Sequence, residues 1–198
     1  MKYLKRFNES NYWYHDYIKG AKEAFFSKED IEELLSEFND APRTSENPGF
    51  VVSVKEQSPI KWSKNETEEQ MISTARQIMR FGYLYKYIVE IDSFSEGRQD
   101  NYHFRYDYND QSKLTEDMFE SLYRLVNTLQ QKGWEYKCKV VFADTPNDSH
   151  VEKPRDMIIK DGWLEAKLLQ DKNLYRLEPG DGVFHIELEL IRWSTNEK

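Results

Sequence analysis

Two hydrophobic periods run through this chain, one suited to helices and the other to strands. Ile31, Leu34, Leu35 and Phe38 recur at i, i+3, i+4 and i+7 behind an acidic first turn, with Ser27 placed as N-cap. Asn39-Asp40-Ala41-Pro42 stops this helix. Thr67-Glu68-Glu69-Gln70 spells a capping box, in which hydroxyl and amide side chains satisfy reciprocal backbone donors. The helix it opens carries Met71, Ile72, Ala75, Ile78 and Met79 on one side and ends at Gly82. Thr115 caps a third helix, whose stripe is Met118, Phe119, Leu122, Val126 and Leu129 and whose end is Gly133.

Between these helices the period falls to two. Phe50, Val52 and Val54 share a face, as do Tyr85, Tyr87, Val89 and Ile91, with Ile88 the exception opposite them. Tyr102, Phe104, Tyr106 and Tyr108 alternate with His103, Arg105 and Asp107, and Trp134, Tyr136, Cys138, Val140 and Phe142 make the next strand. From 50 to 145 the order β-α-β-β-α-β predicts a ferredoxin-like core. One apolar face per strand predicts an antiparallel sheet backed by helices on that face, hence an α+β fold.

The flanks are expected to add to this core. Residues 1–49 read as an aromatic N-terminal region and an acidic helix packing on it. Tyr3, Phe7, Tyr12, Trp13, Tyr14, Tyr17, Phe25 and Phe26 crowd together there. They could anchor a partner, but intramolecular packing is the better reading, because exposed aromatic clusters are uncommon. Residues 146–198 read as a C-terminal extension. Its first part, Pro154–Leu169, is either a helix broken at Gly162 or two short elements turning at Asp161-Gly162. Leu174–Glu178 and Val183–Trp193 read as a hairpin around Pro179-Gly-Asp-Gly182, with Phe184, Ile186, Leu188 and Leu190 towards the core.

Composition narrows the class. With 13 Tyr, 11 Phe and 5 Trp among 198 residues, the chain has the aromatic surface to fold despite 32% charged residues. No apolar run approaches the roughly 20 residues of a membrane span, and the N-terminus lacks the apolar stretch of a secretory signal. One cysteine, Cys138, allows neither an internal disulfide nor a multi-cysteine metal site, so a cytoplasmic setting is expected. A net charge of −8 argues against duplex nucleic acid or an anionic membrane as partner. Seven carboxylates between Ser27 and Pro48 face only Lys28 and Arg43.

Few residues suggest chemistry. No two of His15, His103, His150 and His185 have a ligand spacing on a helix, and phosphate-cradling and serine-nucleophile motifs are missing. Asp144, Asp148, His150 and Glu152 share a loop but lack the spacing of a calcium loop. Neither metal nor cofactor is expected. Cys138 sits on an apolar strand face, where thiols are inert. The polar side of the sheet is expected to carry Ser53, Lys55, Lys86, Glu90, His103, Arg105, Asp107, Lys137 and Lys139. Within it Lys55, His103, Arg105, Lys137 and Lys139 form the candidate binding set, suited to one anionic ligand. An RNA platform would need the aromatics on this face, and they fall on the other.

The opening Met1-Lys-Tyr-Leu-Lys-Arg-Phe-Asn-Glu9 resembles the start of small uncharacterised proteins of large tailed bacteriophages. So does Asp30-Ile-Glu-Glu-Leu-Leu-Ser-Glu-Phe-Asn-Asp40 followed by Gly49-Phe-Val-Val-Ser-Val54, and so does the helix that leads to Gly133-Trp134 and a strand. The resemblance implies a phage origin, in host cytoplasm or virion, and carries no catalytic residues. The expected function is a non-enzymatic interaction or structural accessory protein with a protein partner. The rivals are an acidic inhibitor of a host protein and a binding module for an anionic small molecule at the sheet face.

Overall fold

Alternating side chains build one wide sheet with an apolar and a polar face, and the described helices lie on the first. The computed structural model describes residues 13–44, 47–58, 60, 67–94, 111–142, 154–166 and 176–194. In chain order the elements are α1 (Trp13–Ala24), α2 (Lys28–Leu34), α3 (Ser36–Asp40), β1 (Phe50–Glu56), α4 (Glu68–Phe81), β2 (Tyr83–Ser93) and β3 (Ser112–Lys113). There follow α5 (Glu116–Gln131), β4 (Glu135–Val141), β5 (Arg155–Lys160), β6 (Trp163–Ala166), β7 (Arg176–Leu177), β8 (Gly182–Val183) and β9 (His185–Trp193). Among the described residues, the main sheet has seven strands in the order β1-β2-β9-β4-β5-β6-β7, all paired antiparallel, and β3 and β8 form a small second sheet.

The fold is α+β with an antiparallel sheet, as expected. The strand order departs from a ferredoxin-like core. Among the described residues β1 is an edge strand, paired with the strand that follows it through α4, and β9 from the C-terminal part lies inside the sheet, between β2 and β4. The expected strand at 102–108 lies outside the described residues. The C-terminal hairpin is also corrected. β7 pairs with β6, β8 pairs with β3, and β9 goes to the centre. Phe184 is the pivot: its N–H donates to the Val141 carbonyl and its carbonyl accepts from Ser93 N–H, so the chain leaves β8 for the main sheet. At 154–166 the two-element reading holds, because β5 and β6 are a hairpin turning at Asp161-Gly162.

Register puts the apolar residues in rows. One row runs Val54, Val89, Leu188, Cys138, Met157, Ala166 across six strands, and another runs Tyr87, Leu190, Tyr136. Helix α5 lays Met118, Phe119, Leu122, Leu125, Val126 and Leu129 on this face, while α2 and α3 bring Ile31, Leu35 and Phe38. The expected single helix over 27–40 is broken at Leu35, whose N–H still bonds the Ile31 carbonyl. Helix α4 packs chiefly against α1, where Tyr14, Ile18 and Ala75 meet, and reaches the main core through Ile78.

The last turn of α1 and its link to α2 are pinned at one end of the apolar face. Tyr85, Trp134 and Tyr87 donate their polar hydrogens to the carbonyls of Ala21, Ala24 and Phe26 at 2.9, 3.0 and 3.0 Å. These side chains are buried, so each bond satisfies a donor that would otherwise cost about 1–3 kcal/mol. The described N-terminal aromatics thus pack inward: Tyr14 and Phe26 are buried, and Tyr17 is half-buried against both clusters, although Phe25 stays exposed.

Candidate functional site

The opposite face of the sheet carries no described helix. Five strands supply it, and their register gives two mixed rows: Ser53, Glu90, Glu187, Lys139, Asp156 and, one step along on four of them, Lys55, Ile88, Glu189, Lys137. A column of carboxylates therefore lies on the middle strands with lysines on either side. Glu90 and Glu187 are directly opposite each other, a repulsive arrangement that the flanking lysines relieve. Lys55 reaches Glu90 at 2.6 Å, Lys86 and Lys137 reach Glu189 at 2.6 and 3.2 Å, and Lys139 reaches Glu187 at 3.4 Å.

The ion pairs set the electrostatics. The bond to Lys86, with the further pull of Lys137, holds the Glu189 carboxyl below its ordinary range, against partial burial. The Lys55 ammonium is raised by its bond to Glu90. At one end of the carboxylate column His185 Nδ1 lies 2.7 Å from Asp92 Oδ1, and this bond raises the imidazole pKa, with Glu187 and Glu90 adding to it.

Of the predicted set, Lys137 and Lys139 stand together on β4 and Lys55 stands on β1. Three strand spacings, about 14 Å, separate Lys55 from Lys137, so one small anion does not bridge them. Each of these lysines also has a carboxylate that an anion would have to displace. His103 and Arg105 lie outside the described residues, as does the loop holding Asp144, Asp148, His150 and Glu152. Among the described residues, no group of three or more His, Cys, Asp or Glu side chains is placed to hold a metal ion. Cys138 is buried beneath the helices, and burial pushes its thiol pKa up, away from thiolate chemistry.

Sequence reasoning missed an aromatic end to this face. Between Tyr83↔Trp193 and Tyr85↔Arg192 the register slips by one, which makes Leu84 an extra residue and turns Tyr83 to the side of Trp193. Trp193 is 40% exposed and donates Nε1–H to Glu135 at 2.9 Å, while Phe81 is 49% exposed and lies 5.9 Å from the Tyr83 ring. Ser194 ties the two ends together through N–H and Oγ, both bonded to the Gly82 carbonyl at 3.0 Å. Strict alternation assigns Tyr83 to the face of Tyr85, and only a bulge at Leu84 reverses that.

Among the described residues, no helix is long and apolar enough to cross a membrane. In comparisons with known proteins, the chain matches no family model, no curated protein and no solved structure.

Proposed function

We propose that the chain is a non-enzymatic interaction protein, phage-encoded, that docks a protein partner on the polar face of its sheet. The observation that carries this is a broad face, free of described helices, that ends in exposed Trp193 and Phe81 beside Tyr83. Exposed aromatics beside mixed polar and charged residues recur at protein interfaces. The chemistry at hand supports the same reading. Cys138 is buried, which raises its thiol pKa, His185 is engaged by Asp92, and the lysines of the face are engaged by carboxylates. The phage origin rests on the resemblance of the N-terminal and 30–54 segments.

The test is affinity capture from the producing cells with the wild type and two variants. Trp193→Ala combined with Glu187→Lys is expected to lose the captured partner, while reversal of Glu29, Glu33 and Glu37 keeps it. Those three carboxylates are exposed along α2 and α3, which favours the acidic-inhibitor reading as the second one. Loss on their reversal alone selects that reading. Saturable binding of inorganic phosphate that Lys137→Ala abolishes would select the small-anion module instead.

A further inference from the structure

Among the described residues β1 is an edge of the seven-stranded sheet, and edges of this kind pair with other strands unless something blocks them. Three bonds fix which backbone groups point outward. Gln57 N–H donates inward to Lys86, Gly49 O accepts inward from Phe94, and Val52 N–H points away from β2 and donates to Asn39 Oδ1 at 3.1 Å. The backbone N–H and C=O groups of the even-numbered residues of β1 therefore point away from β2. Val52 is capped, and the N–H groups of Val54 and Glu56 have no hydrogen-bond partner among the described residues. Asn39 belongs to the last turn of α3 and is exposed, so its reach to β1 is a contact across the edge and not part of the core.

We propose that the Asn39–Val52 hydrogen bond is an edge guard, and that its release lets β1 pair antiparallel with β1 of a second copy about a two-fold axis at Val54. In that register Val54 exchanges both main-chain bonds with its own counterpart, and Val52 exchanges them with Glu56 of the other copy on either side. The Val52 N–H must leave Asn39 to do so, which is why the guard and the dimer exclude each other. Charge complementarity selects this occupant. Ser53 lies directly opposite Glu90, and its small side chain bonds the same carboxylate oxygen as Lys55. The second copy's Lys55 would fall opposite Ser53 on the outer side, about two strand spacings from Glu90, within the combined reach of a lysine and a glutamate. The axis makes this ion pair twice. Shifting the axis to Lys55 would leave Asn39 in place but set two lysines against each other. The resulting interface closes on itself, so it yields a dimer and not a fibre.

Sedimentation equilibrium at about 100 μM tests this, a concentration at which complexes with Kd near 1 μM are saturated. The wild type and Asn39→Asp, which keeps the acceptor, are expected to be monomers, and Asn39→Ala a dimer. Adding Lys55→Glu to Asn39→Ala should weaken the dimer at least ten-fold, and adding Glu90→Lys to that pair should restore it. Asn39→Ser, a smaller change that withdraws the acceptor, serves if Asn39→Ala does not fold. A dimeric wild type, a folded guard variant that stays monomeric, or a dimer indifferent to Lys55→Glu each overturns the proposal.

Discussion

The indole of Trp134 stacks on the ring of Tyr85, centroids 5.7 Å apart and planes 16° apart, and Tyr87 lies as close at 5.8 Å. Trp134 stands in the turn from α5 to β4, while the two tyrosines stand on β2, with β9 between those strands. The stack thus joins the sheet to the turn below α5, and its three polar hydrogens hold the last turn of α1 and its link to α2. Trp134→Ala is expected to destabilise the fold by about 3–5 kcal/mol, the usual cost of emptying a buried aromatic site. Trp134→Phe keeps most of the packing and leaves the Ala24 carbonyl without its donor, at a cost of about 1–3 kcal/mol. Urea unfolding measures both, and Trp193→Ala, at an exposed position, should stay within about 1 kcal/mol of wild type.

Cys138 sits in the row Val89, Leu188, Met157, under the helices. A thiol reagent should therefore label it slowly in the native protein and quickly in denaturant. Cys138→Ala should cost on the order of 1 kcal/mol, for a lost contact and a small void. Fast native labelling would place the thiol outside the core and reverse the faces of β4.

Two left-handed glycines end the helices α4 and α5, and their surroundings differ. Gly82 has φ +76° with open space where a Cβ would stand, whereas at Gly133, φ +75°, a Cβ would lie 3.1 Å from Arg192 Cζ. Alanine should cost about 1–2 kcal/mol at Gly82, from backbone strain alone. It should cost more at Gly133, where the guanidinium must also move. Thermal denaturation of the two variants gives the ordering, and Arg192→Ala should remove the steric part of the penalty at Gly133 and leave the backbone part.

The pH dependence has two arms. His185 is raised in the folded state by its bond to Asp92, so its contribution is fully present below the unfolded value of about 6.5 and fades as pH rises through the folded value. Glu189 is lowered by Lys86 and Lys137, so its contribution is present above the unfolded value and is lost as pH falls through the folded one. Stability measured from pH 3 to 9 should decline on both sides. Asp92→Asn should flatten the alkaline arm, and Lys86→Met should flatten the acidic one. A wild-type profile unchanged by Asp92→Asn would remove His185 from the account.

Local patterns were legible because they have local causes. The caps at Ser27, Thr67 and Thr115 and the apolar alternation of 85–91 and 134–142 describe one element at a time, and the structure has them. Strand order was not legible. Ile186, Leu188 and Leu190 alternate as any strand does, and nothing near them states that β2 and β4 will take them in between. The site suffered from the same gap. Lys55, Lys137 and Lys139 looked like a cationic set because Glu187 and Glu189, which balance two of them, come from the strand whose place could not be read. The bulge at Leu84 hid the aromatic end for a related reason, since one extra residue reverses the faces that alternation assigns.

The account stands or falls on which face meets a partner. A photo-cross-linking residue placed at Lys137 or Trp193 samples the polar face, and one placed at Tyr123 on the outer side of α5, 39% exposed, samples the helical face. In the producing cells the first two sites should cross-link to a single protein, with Tyr123 silent. Cross-links from Tyr123 with none from Lys137 or Trp193 would contradict the claim that the polar sheet face is the working surface.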